Sequence, residues 1–275
     1  MKNPKQSSSG SLGESLKSVF AAVVIPLEIV IAYLIFYLVL GDPSHFQGGD
    51  NTGHPLPGDY FGVVYRGGPI VGFLIALAMM VITFSIERYF TISSAKGKGS
   101  VEKFVRKIKA LVESNNIDQA MAECDRQKGS VANVVKAGLS KYAELTKSSN
   151  IEIDKRVQII QKDIEETTQL EMPMLQKNLV IIATIASIAT LMGLLGTVMG
   201  MIRAFAALAQ AGSPDAVALA NGISEALINT ALGIGTSAVA IILYNYFTSA
   251  IDSLTYGIDE AGFSIIQNFS TQAKS

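Results

Sequence analysis

The chain has 275 residues, 49% of them hydrophobic and only 16% charged, with a formal net charge of -1. A soluble domain carries roughly a quarter charged residues, and the near-neutral balance excludes a broadly basic nucleic-acid binder. The lone Cys124 excludes a disulfide framework and a thiolate zinc cage, while His45 and His54 are too few for a His-based metal or triad site.

Residues 1–18 read as a cytoplasmic N-terminal segment. Residues 19–40 are apolar apart from Pro26 and Glu28, long enough for a helix across a bilayer core, which takes about 20 residues. This stretch exceeds the roughly 7–15-residue core of a signal peptide and reads as a retained transmembrane helix. Residues 41–68, rich in Gly, Pro and Asp, read as a periplasmic loop. A second span covers 69–88, charge-free from Ile70 to Ile86 and ending at Glu87-Arg88.

Residues 89–177 read as a helical cytoplasmic domain. Val101, Phe104, Val105, Ile108 and Leu111 recur at helical spacing opposite Lys103, Arg106, Lys107 and Lys109. Val131 to Leu145 and Ile151 to Leu170 are further amphipathic stretches, the latter leading through Pro173 into the third span. Asn116, Asp118, Gly129, Ser130 and Ser148-Ser149-Asn150 mark breaks and caps. The basic side chains of this block read as a solvated face.

The third span, 178–211, carries one charge, Arg203. A periplasmic turn at 212–221 leads to the fourth span, 222–248, whose one charge is Glu225, and 249–275 form a cytoplasmic tail. Soluble helices keep a polar face, and these four spans do not. The fold class is therefore an all-α polytopic membrane protein with four transmembrane helices and a helical cytoplasmic insertion.

Basic residues set the orientation. Of 22 Lys and Arg, 16 lie between Arg88 and Lys177, whereas the 41–68 loop has only Arg66. Both termini and the insertion are assigned to the cytoplasm.

The third and fourth spans carry the specific signals. At about 100° per residue, Gly193, Gly196, Gly200, Ala207 and Ala211 share one side, a smooth face for close helix approach. Ser187, Thr190, Leu194, Thr197 and Met201 share another. A threonine in such a helix can also bond its own i−4 carbonyl. On the fourth span Glu225, Asn229, Gly233 and Thr236 share a side, flanked by Thr230 and Ser237. A charge inside a span usually marks a pathway or a pair. The rise of ~1.5 Å per residue puts Arg203 and Glu225 at similar heights if Thr197 and Thr230 are level. Two readings stay open: Arg203 and Glu225 form an ion pair, or Arg203 reaches for headgroups and Glu225 alone lines the path.

Ala183-Thr184-Ile185-Ala186, Gly193-Leu194-Leu195-Gly196-Thr197-Val198-Met199-Gly200 and Gly222-Ile223-Ser224-Glu225-Ala226-Leu227 with Thr230-Ala231-Leu232-Gly233 resemble the ExbB/TolQ/MotA proton-channel family, closest to its ExbB and TolQ branch. Glu87-Arg88, Asp118 to Cys124 and Lys136 to Leu139 resemble that branch too. The resemblance implies a ring-forming subunit of an inner-membrane proton-driven motor, a homo-pentamer around an ExbD- or TolR-like single-span partner. That partner carries the protonatable Asp, and a TonB-like protein receives the energy, the alternative being a TolQ-like or other stator motor for envelope maintenance or motility. It places Thr197, Thr230 and Glu225 on the proton pathway, with no cofactor and no nucleic acid. No span of this chain contains Asp, in keeping with a carrier on the partner. Such relatives usually begin with three spans, so 19–40 is an addition. The residues show neither the paired repeats of a secondary transporter nor a nucleophile–base pair of an enzyme. A scaffold would explain the glycines but leave Glu225 and the threonines without a role.

Overall fold

The structure is a computed structural model that describes residues 10–147, 151–210 and 216–272, with the side chains of 10–19, 207, 208, 210 and 216–218 outside the description. Residues 1–9 of the expected N-terminal segment, Ser148-Ser149-Asn150, Ala211, residues 212–215 of the expected turn and 273–275 of the tail lie outside it, as does the side chain of Ala207. The elements are α1 (Gly10–Leu34), a π-helical turn (Ile35–Leu40), a 3-10 turn (Pro43–His45), α2 (Tyr60–Tyr65), α3 (Pro69–Lys96), α4 (Val101–Glu113), α5 (Ile117–Gln127), α6 (Gly129–Thr146), α7 (Ile153–Gln176), α8 (Leu179–Gln210) and α9 (Ala216–Gln272). There is no strand among the described residues. Stretches long and apolar enough to cross a membrane lie in Phe20–Leu40, Pro69–Glu113, Leu179–Ala206 and Leu219–Gln272. This is an all-α polytopic membrane protein.

The chain divides into two compact units. The first comprises residues up to Ser85 together with Ile181–Leu243. Pro26 lies inside α1, tolerable in a span because neighbouring helices can serve the freed carbonyl. Glu28 is buried, and Thr83 on α3 donates to its Oε1 at 2.5 Å. This bond ties the added helix to α3, as does Tyr33, whose hydroxyl donates to Pro69 O at 3.2 Å. The π-helical turn brings Phe36 and Leu40 into a cluster with Val71.

Residues 41–68 contain more order than a loop of Gly and Pro suggests. Asp59 accepts from the N–H groups of Phe61 (2.9 Å) and Gly62 (3.2 Å), capping α2. The His45 ring sits 2.7 Å from the same carboxylate. Asp50 accepts from the backbone and the hydroxyl of Thr52, and Asn51 donates to Gly41 O. The segment ends in Gly67-Gly68, with Gly68 at φ +76, a value that glycine adopts without strain.

The second unit comprises Ile86–Val180 and Tyr244 onward. Ser100 caps α4, its hydroxyl accepting from Lys103 N–H. The buried face of α4 is Val101, Phe104, Val105, Ile108 and Val112. Val112 takes the core position that spacing alone gives to Leu111, which is half-buried. Asn116 precedes α5 without a side-chain cap bond, and Ser130 is buried in the first turn of α6 instead of breaking it. The helix α7 passes Pro173 and stops at Gln176, where Lys177 is extended and Asn178 has φ +61.

The basic side chains 103–109 are exposed as expected, but Arg88 is not. It is 2% exposed, bound to Glu87 and donating to the Met174 and Leu175 carbonyls at 3.2 and 3.0 Å. Those carbonyls lie in the last turn of α7, where intrahelical donors run out. Residues 249–272 are the end of α9, and they pack into this unit. Gly138 admits Ile164, while the Tyr142 hydroxyl lies 3.0 Å from Asn268 Oδ1.

Candidate functional site

The α8–α9 pair is held by glycine. A Cβ at Gly193 would sit 2.9 Å from Asn229 O and 3.1 Å from Gly233 Cα. One at Gly200 would sit 3.0 Å from Ala226 Cβ and from Gly222 O, and one at Gly233 would sit 2.6 Å from Ala189 O. Gly196 faces the side chain of Asn229. The glycines of the smooth face read from the sequence thus close on α9 of the same chain. Backbones at this distance gain dispersion contact along their length.

Close approach brings the hydroxyls together. Thr197 and Thr230 hydrogen-bond to each other, and both reach Gly193 O, at 3.2 and 3.5 Å. The Thr197 bond is the i−4 bond open to any helical threonine; the cross-helix contact is additional. Ser237, buried on α9, donates to Ala186 O of α8 at 2.5 Å. Together these groups form a polar seam inside an otherwise apolar helix pair.

Toward the Gly67-Gly68 end of the seam, Arg203 Nη1 donates to Glu225 Oε1 in an ion pair. The guanidinium is 50% exposed and the carboxylate 17%. Asn229 lies between this pair and the threonines. It is 1% exposed, and its amide donates to Gly67 O at 2.8 Å and Glu225 O at 3.2 Å. Asn229 was visible on the Glu225 side of the helical wheel, but nothing in the sequence tied it to Gly67, which is 162 positions away. A Cβ at Gly68 would lie 3.1 Å from Glu225 Oε1 and 3.3 Å from Arg203 Nη1. Among the described residues no group of three or more His, Cys, Asp or Glu side chains is placed to hold a metal ion.

Chemically, the seam supplies neutral hydroxyls that can donate and accept, followed by one carboxylate in an ion pair. A hydroxyl can hand a proton to a group within hydrogen-bond reach, and the Thr197–Thr230 contact places two hydroxyls at that distance. Residues 126–260, which include the whole seam, match the MotA/TolQ/ExbB proton channel family. The chain carries a MotA/TolQ/ExbB proton channel domain.

Relatives of this family domain agree on the branch. The Tol-Pal system protein TolQ of Pseudomonas aeruginosa is 29% identical over 136 residues, covering 50% of this chain and 58% of that protein. The biopolymer transport protein ExbB of Xanthomonas campestris pv. campestris is 28% identical over 119 residues, covering 43% of this chain and 47% of the relative. A putative biopolymer transport protein ExbB homolog of Methanothermobacter thermautotrophicus is 26% identical over 198 residues, 70% of this chain and 66% of that one. The chain spans about half the length of the first two of these relatives. Both ExbB and TolQ names occur, and the identities are too similar to separate them.

Proposed function

We propose that this chain is a ring subunit of an inner-membrane proton-driven motor, working with an ExbD- or TolR-like single-span partner to energise TonB-dependent outer-membrane transport. The observation that carries this reading is the polar seam, in which Thr197 and Thr230 meet across α8 and α9 within the family domain. Their hydroxyls offer a donor and an acceptor beside a partner's carboxyl group without a fixed charge that would trap a proton. Glu225, paired with Arg203, stands at the end assigned to the periplasm. Proton transfer to and from the partner would drive its movement relative to a ring, five copies in the family pattern. The outward faces of α8 and α9 carry exposed Leu191, Leu195, Ile202, Leu227 and Ile242, suited to neighbouring copies and lipid. Both termini and residues 89–177 are assigned to the cytoplasm by their basic residues. A Tol-Pal role is the second reading, favoured by the 136-residue match to TolQ.

The test is co-purification of the full chain with its single-span partner, followed by proton uptake in vesicles. Thr197→Val and Thr230→Val keep side-chain shape and remove the hydroxyl. Each should lower uptake at least tenfold while the complex survives native electrophoresis. Normal uptake by both variants would refute the seam as the path. Failure to grow on a substrate needing active import, against failure to withstand detergent, separates the two roles.

A further inference from the structure

The added helix and the 41–68 segment bring a second guanidinium to the Arg203–Glu225 pair. Arg203, Glu225, Arg66, Asn51, Tyr37 and Tyr65 line one cavity of about 220 Å³. Two features fix the segment there. Asn229 binds Gly67 O, and Gly68 adopts a backbone angle open to glycine while lying against both members of the pair. Arg66 Nη2 donates to Thr52 O at 2.8 Å and to Gly53 O. Those carbonyls are set by the Asp50–Thr52 turn. Carbonyl acceptors hold a guanidinium in place without cancelling its charge. Among the described residues no carboxylate stands within ion-pair distance of Arg66. Two guanidiniums and one carboxylate therefore leave the cavity with one positive charge in excess.

We propose that the 41–68 segment is a cation-excluding collar at the outer end of the proton path, with Arg66 as its selectivity residue. This rests on the proton-path reading above. A sodium or potassium ion must enter the cavity whole, losing water and meeting the excess positive charge, a barrier that grows in a low-dielectric site. A proton crosses by a different route. A hydronium ion gives it to a Glu225 carboxylate oxygen and leaves as water, and the neutral acid then gives it to the partner's carboxylate, so that the O–H bond broken at Glu225 is formed on the carrier. The collar therefore discriminates by charge, while Glu225 admits the one cation that can be taken up as a covalent O–H bond. The 19–40 helix gains a role in this arrangement, since it anchors the segment that delivers Arg66.

Two measurements test the proposal on the full chain with its partner. In the first, Tyr37→Cys places a thiol in the cavity wall; the native Cys124 is buried and does not compete. Cationic and anionic thiol reagents of matched size are compared. The anionic reagent should react faster, and Arg66→Gln should lower the anionic-to-cationic rate ratio by roughly fivefold or more. Arg66→Lys should retain it. In the second, vesicles are assayed for proton and sodium uptake, and Arg66→Gln should admit sodium that the wild type and Arg66→Lys exclude. Gln keeps an amide donor for the Thr52 and Gly53 carbonyls, and native electrophoresis reports whether the complex persists. An unchanged reagent ratio overturns the charged collar, whether or not the protein conducts. A lowered ratio with no sodium uptake overturns the selectivity role while leaving the proton path standing. Absence of proton uptake by the wild type sinks the path itself and the selectivity role with it.

Discussion

Gly233 and Gly235 lie two residues apart on α9 and differ in what surrounds them. An added Cβ at Gly233 meets Ala189 O at 2.6 Å and Gly193 Cα at 2.8 Å, both backbone atoms that cannot rotate aside. An added Cβ at Gly235 meets nothing within 4 Å. Replacing either glycine by alanine gains a similar helix propensity of about 1 kcal/mol, so that contribution cancels in the comparison. What remains is the overpacking at Gly233, about 1–3 kcal/mol for a methyl forced into a filled contact. Gly233→Ala should therefore be less stable than Gly235→Ala by that amount. Unfolding of the two variants in the same detergent, followed by circular dichroism against denaturant, measures the difference. Moving α9 off α8 by a few tenths of an ångström also draws Thr230 from Thr197, so proton uptake should fall in Gly233→Ala. Superimposable unfolding curves would refute the close approach of the two backbones. Leucine at Gly196 or Gly200, which face Asn229 and Ala226, should disrupt the same pair more severely.

The other predictions follow from separate contacts. Arg203→Ala and Glu225→Ala should each reduce proton uptake at least tenfold, since each leaves an unpaired charge in a span; the exchange Arg203→Glu with Glu225→Arg should recover part of it, and no recovery would argue against pairing as the role. For topology, a cysteine at Asn51 should label from outside intact cells and one at the exposed Lys109 should not. Cys124 itself is an unsuitable reporter, because burial pushes its thiol up to about 12 and it should resist labelling from either side until the protein is denatured. Asp59 is held below the ordinary 3.8 by the His45 ring and then by the Gly62 N–H. A carboxyl depressed in this way stabilises the folded segment above pH 3.8, and the contribution is lost as pH falls through the lowered value. Protease nicking within 41–68 should accelerate below pH 3.8, and Asp59→Ala should accelerate it several-fold at neutral pH; equal rates would show that the cap and the His45 contact do not hold the segment.

The spans, their order and the identity of the unusual residues were legible in the chain because burial in lipid is a local demand. A stretch of about 20 residues either satisfies it or does not. Helical period likewise placed Gly193, Gly196 and Gly200 on one side and Thr197 on another. The heights of Arg203 and Glu225 matched only on the register that the family resemblance implies, with Thr197 and Thr230 level, and that left open whether Arg203 turns to Glu225 or to headgroups; the packing of α8 on α9 joins the two charges. Other features depend on elements distant in the chain. Arg88 reads as the flank of a span, yet it is buried because the last turn of α7, about 86 positions on, presents unpaired carbonyls to it. Residues 249–272 read as a tail, and only the faces of α4, α6 and α7 make them part of a core. The contact of Gly67-Gly68 with Asn229 and the ion pair needs a positive φ and a helix 160 residues later to coincide. Sequence determined which segments enter the membrane and which residues are out of place there. Tertiary structure alone decided what those residues meet, because a buried polar group takes its partner from whichever backbone the packing of apolar faces brings within reach.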